Sequence, residues 1–316
     1  MTAAPQAGGV PAPPQGYALS PAAFRRLARI VQADSGIRLT EAKQSLVVSR
    51  LSRRLRSLGL GGFEQYCNLV EAPDGAGERQ RMISSLTTNV TRFFREEHHF
   101  RQLGESVLPP LVARARAGGR VRLWSAGCSS GEEPYSIALT LLDLCPEAPR
   151  LDLRILASDI DPDVLEKAQQ GRYPPQAAAA VPARLLDGFL KGSDGASIEI
   201  GAAARGLVTF RQLNLLERWP FQGRFDIIFC RNVVIYFDAV TQDTLWQRFA
   251  GVLVPGGHLF IGHSERLSPA AQPQFQNAGV TCYQRCDPAP PGVRSPAATP
   301  GTAPGLPESG RTRGWV

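Results

Sequence analysis

The sequence predicts an all-α segment followed by an α/β domain on a mostly parallel sheet, with a small insertion in that domain. Three observations predict it. From about residue 20 to 97, apolar residues recur at spacings of three and four, the mark of amphipathic helices. From residue 120 onward, short apolar runs alternate with amphipathic stretches, the rhythm of β-α-β units. Between about 174 and 206 that rhythm breaks into an alanine-rich stretch and a glycine-rich segment.

The ends of the chain stand apart. Residues 1–16 and 287–316 are rich in Pro, Ala and Gly or Ser, and both are expected to be disordered tails. The expected division is a helical domain at 17–90 and an α/β domain at 91–286, with its insertion at 174–207. No run approaches the roughly 20 apolar residues of a membrane span. The N-terminus lacks a cationic start and an apolar run, so no secretory signal is read there and the cytoplasm is the expected compartment. The six cysteines are scattered without a CxxC pair, which argues against a disulfide framework and a metal site.

In the helical segment, Val47, Leu51, Leu55 and Leu58 mark one apolar face, and Gly59, Gly61 and Gly62 end that helix. Arg50, Arg53 and Arg54 fall opposite, with Arg56 flanking, and no acidic residue stands four positions away. Residues 21–60 hold nine basic against two acidic residues, which equals the formal +7 of the whole chain. Such concentration points to an acidic partner.

RVRLWSAG (120–127) reads as a strand ending in a glycine turn, and GEEPYSIALTLLDL (131–144) as the helix that follows. LRILASDI (153–160) is a second strand. PDVLEKAQQG (162–171) is a helix with Pro in its first turn and Gly at its end. VTFRQLNL (208–215) and FDIIFCRN (225–232) are further strands, their unbroken apolar cores fitting burial on both faces. A helix at 239–253 is stopped by Pro255-Gly256-Gly257; HLFIGHS (258–264) and VTCYQRC (280–286) complete the sheet. KGSDGASIEIGAAARG (191–206) reads as a hairpin in the insertion.

Right-handed crossovers then gather the C-terminal ends of the parallel strands along one edge, where ligands bind. The first turn, AGCSSGEE, is neither GxGxxG nor a Walker loop, so phosphate cradling is poorly supported. Asp159 closes the second strand, where a carboxylate can accept both hydroxyls of a ribose; Asp161, before Pro162, fits a helix cap better. Asn214 and Asn232 follow the third and fourth strands. An amide there suits an adenine or amino-acid edge, and equally a turn.

TTNVTRFFREEHHF, WSAGCSSGEEPYSIAL, ASDIDPDVLEKAQQGRY, NLLE, FDIIFCRNVVIYFD and GGHLFIGHSE together resemble the signature blocks of the chemotaxis receptor methyltransferases of the CheR type, from about residue 20 to 285. The resemblance implies a Rossmann-like S-adenosylmethionine-dependent methyltransferase domain with a small inserted antiparallel β-subdomain, preceded by an all-α N-terminal domain. It implies cofactor contacts at Asn89, Thr91, Arg95, Glu133, Asp159, Asn214, Leu215, Arg231 and Asn232, with Arg95 and Tyr236 nearest to methyl transfer. The cofactor would be S-adenosylmethionine, leaving as S-adenosylhomocysteine. The partner would be the glutamate-rich cytoplasmic methylation helices of chemoreceptors, with the Arg50, Arg53, Arg54 and Arg56 face docking on them. His98 and His99 are expected to be packing or turn residues.

The implied chemistry needs no general base, because a glutamate carboxylate is already ionised at neutral pH; alignment and desolvation would carry the rate. Other readings are a methyltransferase of another acidic protein, a small molecule or nucleic acid, and a non-catalytic binder of the cofactor. Nucleic acid is disfavoured because the basic helix lacks interleaved aromatics and the fourth strand leads into RNVVIYF rather than an NPPY-like motif. Membrane insertion is not expected, and the chain is expected to be a monomer.

Overall fold

The computed structural model describes residues 17–193 and 197–286. The two tails expected to be disordered lie outside the described residues, as does the centre of the expected hairpin. The chain forms two compact units, Arg38–Thr87 with the residues up to Asp34, and Thr88 onward with Ser35–Ile37.

The first unit holds four helices, α1 (Pro21–Ser35), α2 (Gln44–Ser57), α3 (Phe63–Glu71) and α4 (Ala76–Leu86). Ser20 caps α1 by accepting the Ala23 N–H at 3.0 Å, with Pro21 at the first helical position. Val47, Leu51 and Leu55 of α2 are buried with Phe24, Leu27 and Phe63. Leu58, expected on the same face, is 37% exposed at the end of the helix.

The arginines of α2 are not one solvated face. Arg54 donates to Glu78 of α4 through Nε at 3.0 Å and Nη2 at 2.5 Å, and Tyr66 donates to the same carboxylate at 2.9 Å. Arg50 donates from Nη1 to the carbonyl oxygens of Leu86 at 2.8 Å and Thr87 at 2.5 Å, tying down the end of α4. Arg53 and Arg56 are exposed. The missing i,i+4 acid is replaced by one from another helix, which local spacing does not reveal.

The second unit opens with α5 (Glu97–Gln102), a π turn at Leu103–Val107 and α6 (Leu108–Arg116). It continues through β1 (Val121–Ala126), α7 (Glu132–Leu144), β2 (Leu153–Asp159) and α8 (Pro162–Gln170). After the insertion come α10 (Ala202–Leu207), β6 (Val208–Gln212), β7 (Phe225–Cys230), α11 (Ala239–Val252), β8 (Leu253–Ile261), β9 (Phe275–Gly279) and β10 (Cys282–Arg285). The sheet order is β6-β2-β1-β7-β8-β10-β9. β6 to β8 run parallel, while β10 and β9 are antiparallel. Leu123 stands beside Ile155 and Ile227 in register. Successive residues pack on opposite faces: Leu123, Ile155 and Ile227 meet helices α5, α6 and α7, whereas Trp124, Leu156 and Ile228 meet α11.

Three elements differ from expectation. Pro255-Gly256-Gly257 does not separate α11 from its strand: β8 starts directly at Leu253. Its register with β7 shifts between Phe225 and Ile227, so the Pro-Gly-Gly residues are accommodated as an irregularity inside the strand. β9, FQNAG, carries no β-branched residue to announce it and is held at the sheet edge by β10. Residues 202–206, expected within a hairpin, belong instead to helix α10, which packs against α7.

The insertion holds α9 (Ala183–Phe189), β4 (Leu190–Ser193) and β5 (Ser197–Ile200). With β3 (Arg172–Tyr173) these strands form a three-stranded antiparallel sheet, β3-β5-β4. Among the described residues no helix is long and apolar enough to cross a membrane.

Candidate active site

The ends of β1, β2 and β7 converge where the sheet order reverses around β1, as a doubly wound sheet requires. After β1 the chain turns through Gly127 at φ +83°. A Cβ there would also lie 2.3 Å from Val233 Cγ2, so only glycine fits. The turn is pinned to β2: the N–H groups of Gly127 and Cys128 donate to the Ser158 carbonyl oxygen at 2.8 and 2.9 Å.

Asp159, at the end of β2, is buried, and burial pushes its carboxyl above the usual range. Its Oδ2 accepts the Ser129 N–H at 2.8 Å and its Oδ1 the Asp161 N–H at 3.0 Å. Asp161 caps α8 by accepting the Asp163 N–H at 3.0 Å and takes the Asn89 amide on its other oxygen at 2.8 Å. Ser129 Oγ donates to the Asn89 carbonyl oxygen at 3.0 Å. Asn89 is thereby stitched to both the first turn and the start of α8.

Glu133, in the first turn of α7, accepts the Ser125 hydroxyl at 2.7 Å, and burial raises its pKa, with Arg231 opposing. Arg231, just past β7, is 5% exposed. Its guanidinium lies 3.4 Å from Glu133 Oε2 and 3.4 Å from Glu96 Oε2, and donates to the carbonyl oxygen of Arg95. Its carbon lies 5.6 Å from the Phe100 ring centroid. Arg95 itself donates from Nη1 to the Val90 carbonyl oxygen at 3.1 Å.

Among the described residues five non-glycine residues have positive φ, and four of them are Phe94, Glu96, Ser129 and Asn232. Arg95 therefore sits between two left-handed neighbours, a costly backbone held by its surroundings. Hydrogen bonds and ion pairs link Arg95, Arg231 and Glu133 in one network and Asn89, Ser129 and Asp159 in another. Thr91 is half-buried in the segment before Arg95. Leu215 is buried, and Asn214 forms a turn past β6, accepting the Leu216 N–H at 3.0 Å. Tyr236 ends a short 3₁₀ turn, Val234–Tyr236, and is half-buried. Arg50, Arg53, Arg54 and Arg56 belong to the helical unit.

Two contributors escape sequence reasoning, Glu96 and Glu265, while His99 takes the packing place expected of it. Glu96, one residue past Arg95, accepts from His263 Nδ1 at 3.1 Å and faces Arg231. His99 is buried against the Phe229 and Phe260 rings, with Nε2 3.1 Å from the Val280 carbonyl oxygen and 2.8 Å from Thr281 Oγ1. Desolvation, helped by Arg231, lowers its pKa to about 3. Glu265, the last residue of the quoted GGHLFIGHSE block, accepts four backbone N–H groups.

This set of two acceptors and one cationic donor suits a ligand with vicinal hydroxyls, an ammonium and a carboxylate. Two carboxylates, buried Asp159 and half-buried Glu133, match the hydroxyls and the ammonium. Arg231, whose buried Nε has no hydrogen-bond partner among the described residues, matches the carboxylate. Adenosine and methionine together present those groups.

The comparisons agree. Residues 89–284 match the family described as "CheR methyltransferase, SAM binding domain", and residues 22–87 match "CheR methyltransferase, all-alpha domain". The chain is 53% identical over 258 residues to a "Probable chemotaxis protein methyltransferase" of Rhizobium etli, covering 81% of this chain and 96% of the relative. It is 44% identical over 272 residues to the "Chemotaxis protein methyltransferase" of Escherichia coli K12, covering 84% and 91%. It is also 44% identical over 254 residues to "Chemotaxis protein methyltransferase 2" of Pseudomonas aeruginosa, covering 79% and 88%. With both of its parts matched in order, the chain belongs to the CheR methyltransferase family and is an S-adenosylmethionine-dependent methyltransferase.

Proposed function

We propose that the enzyme methylates glutamate side chains on the cytoplasmic methylation helices of chemoreceptors, giving glutamate methyl esters. The observation that carries this reading is the match, along nearly the full length of the R. etli relative, to a protein named for chemotaxis methylation. S-adenosylmethionine, when bound, supplies a methyl group activated by its sulfonium. Asp159 and Glu133 take its ribose and amino-acid ends, with Asn89, Thr91, Arg95, Asn214, Leu215, Arg231 and Asn232 completing the cradle.

Arg95 and Tyr236 act on the acceptor. Arg95 holds the incoming glutamate carboxylate by a charge-assisted bond, and Tyr236 orients it. No side chain has to remove a proton, because the acceptor is ionised at neutral pH. The rigid setting of Arg95 between Phe94 and Glu96 supports a positioning role. On the helical unit, exposed Arg53 and Arg56 attract the acidic receptor surface, while Arg50 and Arg54 hold the helices that present them. The enzyme works in the cytoplasm as a monomer.

The test is transfer of tritiated methyl groups to receptor-bearing membranes by wild type, Arg95→Ala and Tyr236→Phe. The expected result is rates about 10²-fold or more below wild type for Arg95→Ala and about tenfold below for Tyr236→Phe. Wild-type rates in both variants would remove these residues from the reaction.

A further inference from the structure

Glu265 lies beyond β8, outside the cofactor and acceptor residues named above, and is 4% exposed. Its Oε1 accepts the N–H groups of Val233 at 2.9 Å and Val234 at 2.8 Å. Its Oε2 accepts those of Asn232 at 3.0 Å and Gly262 at 2.6 Å. Three consecutive N–H groups pointing inward form a concavity that demands an anion, and Asn232 reaches this conformation only at φ +59°.

The gathered segment leads directly to Tyr236, whose N–H closes on the Val233 carbonyl oxygen at 3.2 Å. Val233 also packs over the Gly127 turn, where a Cβ would meet it at 2.3 Å. One carboxylate thus fixes the end of β7 to the end of β8 and sets the path from Asn232 to Tyr236. We propose that Glu265 is a positioning residue for methyl transfer, acting through the backbone of Asn232, Val233 and Val234 on the placement of Tyr236. This rests on the reading of Tyr236 given under Proposed function.

An amide in place of the carboxylate keeps the shape but turns an NH₂ group toward two N–H donors, so half of the bracket opens whichever way it faces. Turnover of Glu265→Gln, normalised to sites that bind S-adenosylhomocysteine by calorimetry, is expected to fall about tenfold to a hundredfold. The dissociation constant should change by much less, because Asp159 at the end of β2 and Glu133 in the first turn of α7 are anchored away from the bracket. A residue that only stabilised the fold would lower the number of binding sites and leave turnover per site intact.

Gly262→Ala attacks the bracket without changing charge. Its Cβ would lie 2.7 Å from Asn232 Nδ2 and 2.9 Å from Glu265 Oε2. It should give the same loss per site, and it decides the matter alone if Glu265→Gln does not fold. Wild-type turnover per site in the folded variants overturns the proposal while leaving the receptor reading intact, provided wild type labels receptor membranes in the same assay. Failure of wild type to label them sinks the receptor reading and the positioning role with it.

Discussion

Arg231 donates to the backbone carbonyl oxygen of Arg95, a residue 136 positions earlier in the chain. The bond fixes the peptide between two left-handed residues, and the same guanidinium faces Glu96 and Glu133 at 3.4 Å each. Removing it as Arg231→Ala leaves two nearly buried carboxylates without a cation. The expected loss is about 3–5 kcal/mol of stability, as for other broken buried pairs. Arg231→Lys keeps the charge but not the fork, and should restore most of that stability while S-adenosylhomocysteine binding stays weakened. Urea unfolding and calorimetry on both variants check this. Equal stability of Arg231→Ala and wild type would show that the charges are met otherwise.

The α2 arginines separate into two kinds. Arg54→Ala leaves the Glu78 carboxylate, which is 7% exposed, with the Tyr66 hydroxyl but without its close cation, and should lower stability by about 2–4 kcal/mol. Arg53→Glu with Arg56→Glu touches only exposed positions, so melting should move little. Receptor methylation by that double variant should slow at low salt and approach wild type at high salt, where screening removes the attraction. A salt-independent rate would remove these residues from the encounter.

His99 makes the fold acid-sensitive. Its folded pKa is about 3, against roughly 6.5 in the unfolded chain. Between those values the unfolded state binds more protons, so its stability contribution is complete above about pH 6.5 and is lost as pH falls. At pH 5 the loss from this residue is about 2 kcal/mol. The raised carboxyls of Asp159, Glu133 and Glu265 oppose it, since they protonate first in the folded state. Comparing wild type with His99→Phe isolates the histidine. The drop from pH 7 to pH 5 should be about 2 kcal/mol smaller in the variant, and an identical drop would place the acid sensitivity elsewhere.

Gly127→Ala meets both a positive φ and the Val233 methyl group. The expected cost is about 2–4 kcal/mol, with weaker S-adenosylhomocysteine binding because the first turn shifts. Thermal unfolding with and without that ligand measures both. An unshifted melting temperature would show that the turn has room to adapt.

Features built from local signals were legible in the sequence. The apolar runs at Ile155–Leu156 and Ile227–Ile228 mark strands buried on both faces. Pro162 and Gly171 bracket α8, and Asp161 caps it as its position before Pro162 implied. What escaped depends on distant partners. β9 exists because β10 pairs with it, and β8 runs through Pro255 because β7 holds its far end in register. Arg54 meets an acid from another helix, and Glu265 meets donors about thirty residues earlier. In the candidate site, the position of Asp159 at a strand end was readable; the ties of both its oxygens to backbone N–H groups were not.

The most direct test of the central claim is to locate the transferred methyl group. Purified enzyme, tritiated S-adenosylmethionine and chemoreceptor-bearing membranes should yield label that is released by mild base and maps by peptide mass spectrometry to receptor glutamates. Label that resists base, or that falls on other residues or other proteins, would contradict a glutamate methyl ester on the receptor.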